Sequence, residues 1–152
     1  MTPPRFNHVA MSVDRSLLDA HGRAQILSFW GEVFGFEELT SETRDGEVLV
    51  LQAYDWEQFV FLVGEDEPMR CPRLDHFGMS VDTLAELHAF EAKAKAFAEH
   101  DDRVDLIGAT VGDQHGVLQL HSFYVRFLLP MMIEVQWFDW APEVAALRPD
   151  RS

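Results

Sequence analysis

A chain of 152 residues with 47% hydrophobic and 12% aromatic content can bury roughly 70% of the surface its unfolded form exposes, and such a composition excludes a disordered segment. Twenty-six acidic residues against 12 basic ones leave a net charge of −14, which opposes nonspecific binding to nucleic acid or to an anionic membrane. Cys71 is the only cysteine, so neither an intrachain disulfide nor a cysteine-built zinc site is available. The opening MTPPRFNH has no apolar signal-peptide core, and no run reaches the ~18 apolar residues of a membrane span. The expectation is a soluble cytoplasmic protein.

The first strand candidate is FNHVAMSVD, Phe6 to Asp14. RAQILSFWGEVFGFEEL follows, in which Ala24, Leu27, Trp30 and Phe34 recur at helical spacing and Gly35 sits where a helix would stop. Three strands are then predicted, at Leu39–Arg44, Glu47–Tyr54 and Gln58–Val63, with Asp45-Gly46 as a hairpin turn between the first two. GEDEPMRCPR, with Pro68, Pro72 and its charges, reads as a short linker.

The chain then repeats itself. LDHFGMSVD, Leu74 to Asp82, matches the opening strand at five of nine positions, and His76 takes the place of His8. Thr83 and Glu86 form a T-x-x-E capping box ahead of a helix whose stripe is Leu87, Phe90, Ala94 and Phe97. Strands are predicted at about Asp105–Val111, Leu118–Leu128 and Met132–Phe138, with a looser turn at Gly112 to Gly116. The plan is βαβββ twice: module one at about 5–64 and module two at about 73–140, in one domain over 1–140. The tail, 141–152, carries no signal beyond a small helix or frayed end.

Alternate residues of a strand share a face. Val9, Met11 and Val13, like Phe77, Met79 and Val81, should pack beneath the helices. His8 then shares its face with Ala10 and Ser12, and His76 with Gly78 and Ser80. Small residues beside a polar one suit a cavity wall. A lone strand histidine is usually a hydrogen-bonded core or surface residue; two at matched positions of a duplicated unit favour ligands. Glu134 lies inside the apolar MMIEVQWF, where an ionised carboxylate is costly unless paired or metal-bound. If Ile133, Val135 and Trp137 face a helix, Glu134, Gln136 and Phe138 face the cavity. Two imidazoles and one carboxylate form the facial triad of non-haem Fe(II) oxygenases, and Mn(II), Co(II), Ni(II) or Zn(II) take the same donors. His21, His88, His100 and His115 fall in loops or on a polar helix face, where exposure is expected.

NHVAMSV, DHFGMSV and MIEVQWF in a doubled βαβββ plan, with Phe29, Trp30, Gly35 and Phe36 in the first helix segment, resemble the vicinal oxygen chelate superfamily over about Arg5 to Trp140. That group holds glyoxalase I, extradiol dioxygenases, fosfomycin-resistance transferases and bleomycin-resistance proteins. The resemblance implies an α+β fold in which the two modules form a cup-shaped, partly closed mixed sheet with helices outside, commonly as a homodimer. It also implies a divalent metal, Fe(II) or Mn(II) before the others, at His8, His76 and Glu134. Glyoxalase I typically adds a ligand on the last strand of module one. Here that strand reads QFVFLV, and the matching position is apolar, near Phe61.

Extradiol dioxygenases carry a histidine and a tyrosine on the strand before the carboxylate ligand. HSFYVRF offers His121 and Tyr124 as catalytic candidates, His121 first for proton transfer. Three apart, they take opposite faces of a regular strand, so only one can enter the cup without a bulge. The turn before the ligand reads LLPMM instead of an Asp-Pro-x-Gly pattern. Phe6, Phe61, Gln136 and Phe138 are expected to line the pocket, suiting an apolar or aromatic small-molecule substrate chelated through vicinal oxygens. Two other functions fit the same residues: drug sequestration of the bleomycin-resistance type, and a degenerate paralogue without chemistry.

Overall fold

The computed structural model describes residues 4–54 and 57–147. Its strands are β1 (His8–Asp14), β2 (Glu37–Glu38), β3 (Val48–Gln52), β4 (Phe59–Glu65), β5 (His76–Ser80), β6 (Asp105–Gln114), β7 (Leu118–Arg126) and β8 (Met132–Trp140). The helices are α1 (Ala20–Phe29), continued by a π-helical turn over Trp30–Phe34, then α2 (Leu84–Ala98) and the short α3 (Pro142–Ala145). Residues from 148 on, part of the expected tail, lie outside the described residues.

The βαβββ unit occurs twice, as two four-stranded mixed sheets in the orders β1-β4-β3-β2 and β5-β8-β7-β6. In each, the histidine strand runs parallel to the last strand of its module. The two sheets do not close on one another. Met11, Val13, Leu51 and Leu62 from one sheet, Phe123, Val125 and Val135 from the other, and Ile26, Phe29 and Leu87 from the helices join one hydrophobic core. Phe29 is its hub: fully buried, it meets Phe97 of α2 edge-on at 5.2 Å and Phe127 beyond β7 at the same separation. The helices thus pack between modules, and the histidine faces turn away from the core. His8, Ala10, His76, Gly78 and Ser80 are all exposed, so a single chain leaves the expected cup open.

Several local expectations change. The first helix buries Ile26, Phe29, Trp30 and Val33, whereas Ala24 is exposed and Leu27 and Phe34 are only half-buried. The buried set Ile26, Phe29, Trp30 and Val33 keeps the i, i+3, i+4, i+7 spacing of an α-helix but lies on a neighbouring face from the predicted stripe. Gly35 does end it, at φ 74°, in the left-handed region where a Cβ is penalised. The strand expected at Leu39–Arg44 is a turn that follows the two-residue β2, since the Glu42 and Thr43 amides donate back to the Leu39 carbonyl. The Asp45-Gly46 turn joins only a single bridge, Arg44 to Val48. The second looser turn sits at His115 and Gly116, both with positive φ, while Gly112 lies within β6. The Thr83–Glu86 capping box is formed in full.

Two polar knots tie module two together. Glu91, 7% exposed on α2, accepts from the Ala109 amide at 2.9 Å and pairs with Lys95 at 2.7 Å. It holds the irregularity in β6 between Ile107 and Thr110. Burial pushes its carboxyl up, but Lys95, the Ala109 amide and His88 outweigh burial and hold it below its usual range. Asp105 accepts two bonds from Arg73, at 2.6 and 2.9 Å, and one from Arg126 at 3.0 Å. The Arg73 hydrogen bond, against burial and with Arg126, lowers the Asp105 carboxyl below 3.8.

Two outcomes are expected. Phe29→Ala should destabilise the fold by about 3–5 kcal/mol, read from chemical denaturation with an unchanged m-value. A lowered folded-state pKa contributes stability above the unfolded value, which is lost as pH falls through the folded one. Asp105→Asn should therefore be less stable than wild type at pH 7, with the gap closing below about pH 4; a gap independent of pH would contradict the pairing.

Candidate metal centre

β5 and β8 run parallel with His76 opposite Met132 and Gly78 opposite Glu134, which brings the imidazole and the carboxylate to one side of the sheet. β7 runs antiparallel to β8 with Tyr124 opposite Glu134 and Ser122 opposite Gln136. Glu134 is 5% exposed, between the buried Ile133 and Val135. Its Oε1 accepts from the Tyr124 hydroxyl at 2.6 Å, and its Oε2 accepts from the Gln136 amide at 2.7 Å. The His76 Nε2 lies 3.2 Å from Oε2. The hydrogen bond to Glu134, then burial and the neighbouring negative charge, hold the Tyr124 phenol above 10.0.

The two histidines are anchored alike. His76 Nδ1 is 2.8 Å from the Leu74 carbonyl oxygen, and His8 Nδ1 is 2.8 Å from Asn7 Oδ1. With the proton on Nδ1 donated to these acceptors, each Nε2 presents a lone pair, the arrangement that an outer hydrogen bond gives a metal-binding imidazole. In His76 that lone pair faces a carboxylate oxygen. Two acceptors at 3.2 Å call for a proton or a cation between them. Cis ligands about 2.1 Å from a metal stand ~3 Å apart, so His76 and Glu134 fit a divalent ion as adjacent ligands.

His8 belongs to the other face. It stacks flat on Phe59 at 4.8 Å, its partner across the β1–β4 ladder. Among the described residues, no three His, Cys, Asp or Glu side chains come together to hold a metal. Phe61 pairs with Ala10 as Glu134 pairs with Gly78, so it occupies in module one the place of the carboxylate in module two.

His121 and Tyr124 separate as their spacing requires. Tyr124 shares the Glu134 face, whereas His121 pairs with Trp137 on the opposite face, with ring centroids 4.9 Å apart. Gln136 touches Glu134, and Phe138 lies along the same face, stacked with Trp140. Phe6 precedes β1, fully exposed, and lines a cavity of about 410 Å³ between the edges of β1 and β5, together with His8, Phe36, Phe59 and Phe77. A second cavity, about 660 Å³, is lined by His8, Phe59, Phe61, Val50, Leu39, Ser41 and Glu42. The last three were not singled out by the sequence, because the strand predicted there hid a turn. The anchor Asn7 had a signal: a polar residue precedes the histidine in both repeats.

No protein-family model matches the chain, and no curated protein does. Solved structures match in fold. Lactoylglutathione lyase from Agrobacterium tumefaciens is 16% identical, with 90% of this chain and 95% of that one covered at a TM-score of 0.58. A variant of the fosfomycin resistance protein FosX from Listeria monocytogenes, complexed with Mn(II) and 1S,2S-dihydroxypropylphosphonic acid, is 14% identical, with 97% and 100% covered at 0.61. A glyoxalase/bleomycin resistance protein/dioxygenase from Alicyclobacillus acidocaldarius is 13% identical, with 86% and 89% covered at 0.58. The chain has the fold shared by these proteins.

Only two tyrosines are present, and Tyr54 is exposed. In a Tyr54→Phe background, ultraviolet titration of Tyr124 should show a midpoint above pH 10, and adding Glu134→Gln should bring it down. The raised value also means that this pair stabilises the fold at neutral pH and ceases to do so as pH climbs through the folded-state pKa.

Proposed function

We propose that this chain, built on the vicinal oxygen chelate fold, is a divalent-metal-dependent enzyme. Its substrate is a small apolar or aromatic molecule bound through two neighbouring oxygens. The carrying observation is the pairing of a buried carboxylate, Glu134, with an anchored imidazole, His76, at the 3.2 Å separation of adjacent ligands. His8 supplies the third donor from a second copy of the chain. Support for that assembly is the open state of both histidine faces, which a twofold pairing of module one on module two would cover. Mn(II) or Fe(II) suits two imidazoles and a carboxylate, and Zn(II), Co(II) and Ni(II) take the same set.

A bound metal would supply Lewis acidity for an oxyanion on the substrate. The chain's own groups do the rest. Tyr124 and Gln136 fix the rotation of the Glu134 carboxylate by donating to its two oxygens. The Tyr124 hydroxyl spends its single proton on Glu134, so toward a substrate beside the centre it offers only its oxygen as an acceptor. His121, the expected proton carrier, faces the other way and is not available to this centre. Phe59 and Phe61 give the module-one wall its apolar character.

A second reading, ligand binding without chemistry, draws on a different fact: both Glu134 oxygens already accept hydrogen bonds within the chain. Metal analysis separates the two. Wild-type protein loaded with Mn(II), Fe(II) or Zn(II) should retain near-stoichiometric metal, and His8→Ala, His76→Ala and Glu134→Ala should each lose it. Mixing the His8→Ala and Glu134→Ala chains should restore part of the metal content, because a mixed dimer keeps one intact centre. Wild-type protein that stays metal-free with all three ions leaves the binding module.

A further inference from the structure

We propose that the larger cavity sorts substrates by charge, admitting an aromatic ring with a cationic arm and rejecting one with a carboxylate or phosphonate, and that Glu42 is the sorting residue. The inference rests on the centre proposed above, because His8 lines this cavity and joins it to that centre.

At about 660 Å³ the cavity has the size of a small-ligand site. Its floor is apolar: Phe59 and Phe61 from β4, Val50 from β3 and Leu39 after β2. A substrate held near His8 lies over the two phenylalanine rings and extends toward the turn that carries Ser41 and Glu42. Among the described residues, Glu42 is the only carboxylate in the lining, and its side chain has no hydrogen bond or ion pair. It is held in place through the backbone, by its amide bond to the Leu39 carbonyl at 3.1 Å.

Among the described residues, no arginine or lysine lines either cavity. The basic residue on the Glu134 face of β7, Arg126, is taken up by Asp105 at 3.0 Å and by the Pro130 carbonyl at 3.3 Å. An anionic arm would find no free cation there and would meet the Glu42 carboxylate and a chain of net charge −14. An ammonium would find a partner at the cavity rim and a favourable field on approach. The phosphonate ligand of the Listeria protein is therefore the wrong charge class for this chain.

The test is calorimetric titration of full-length, Mn(II)-loaded protein, without oxygen, using three probes: catechol, catechol with an aminoethyl arm and catechol with a carboxymethyl arm. The aminoethyl compound should bind tightest and the carboxymethyl compound weakest, up to about 25-fold apart, because a ~fivefold gain for one exposed charge contact and a ~fivefold loss for the other multiply. Glu42→Gln should bring the two charged probes to within about twofold, and Glu42→Lys should invert their order. Equal affinity for the charged probes, a preference that survives Glu42→Gln, or no binding of any probe would overturn the sorting role. Metal content measured on the same samples, with the titrations repeated on metal-stripped protein, keeps the two ideas apart. Loss of the centre shows as missing metal, whereas the arm preference and its dependence on Glu42 are read from the ratio of affinities in either form.

Discussion

Burying a carboxylate in the middle of an apolar strand is the constraint around which module two is arranged. An ionised group in that position is tolerated only with its oxygens satisfied. Three strands meet the demand: β7 brings Tyr124, β8 brings Gln136 two residues along, and β5 brings His76. None of these contacts forms if the register shifts by one residue, because a slip would turn every partner to the other face. The side chains around Glu134 and the hydrophobic pattern of Ile133 and Val135 therefore specify the same register from opposite sides of the sheet.

Module one has the same frame without the same demand. Phe61 stands where Glu134 stands, and Phe59 lies flat against His8. One copy of the duplicated unit carries an acid, the other a hydrophobic wall, while the histidine and its Nδ1 acceptor persist in both. The division of labour is local to a single strand position, and it needs no change in the core. Phe29 and its neighbours bind the two modules together from the far side, out of reach of either histidine face.

Much of this was legible in the residues. Period-two alternation located both histidine strands, their buried faces and the outward turn of Gln136 and Phe138, because a sheet packed on one side leaves no other choice for Met11, Val13 or Val135. Internal comparison alone matched Phe61 to Glu134. What escaped was set by contacts distant in sequence or by backbone shape. The turn after β2 hid Ser41 and Glu42, since Leu39 to Arg44 has strand-like neighbours but folds back on its own carbonyl. A short-range rule did resolve His121 from Tyr124.

The π turn at Trp30–Phe34 has a consequence for reading this chain beside others. A turn of that kind behaves as one residue inserted into an α-helix. Beyond it, Phe36 packs against the Trp30 ring at 5.0 Å. A counterpart with an unbroken helix would need a one-residue gap opposite this turn. Without that gap, every position from Gly35 to the following strand would be misassigned by one, and the two residues of β2 would trade faces just ahead of the turn that carries Glu42.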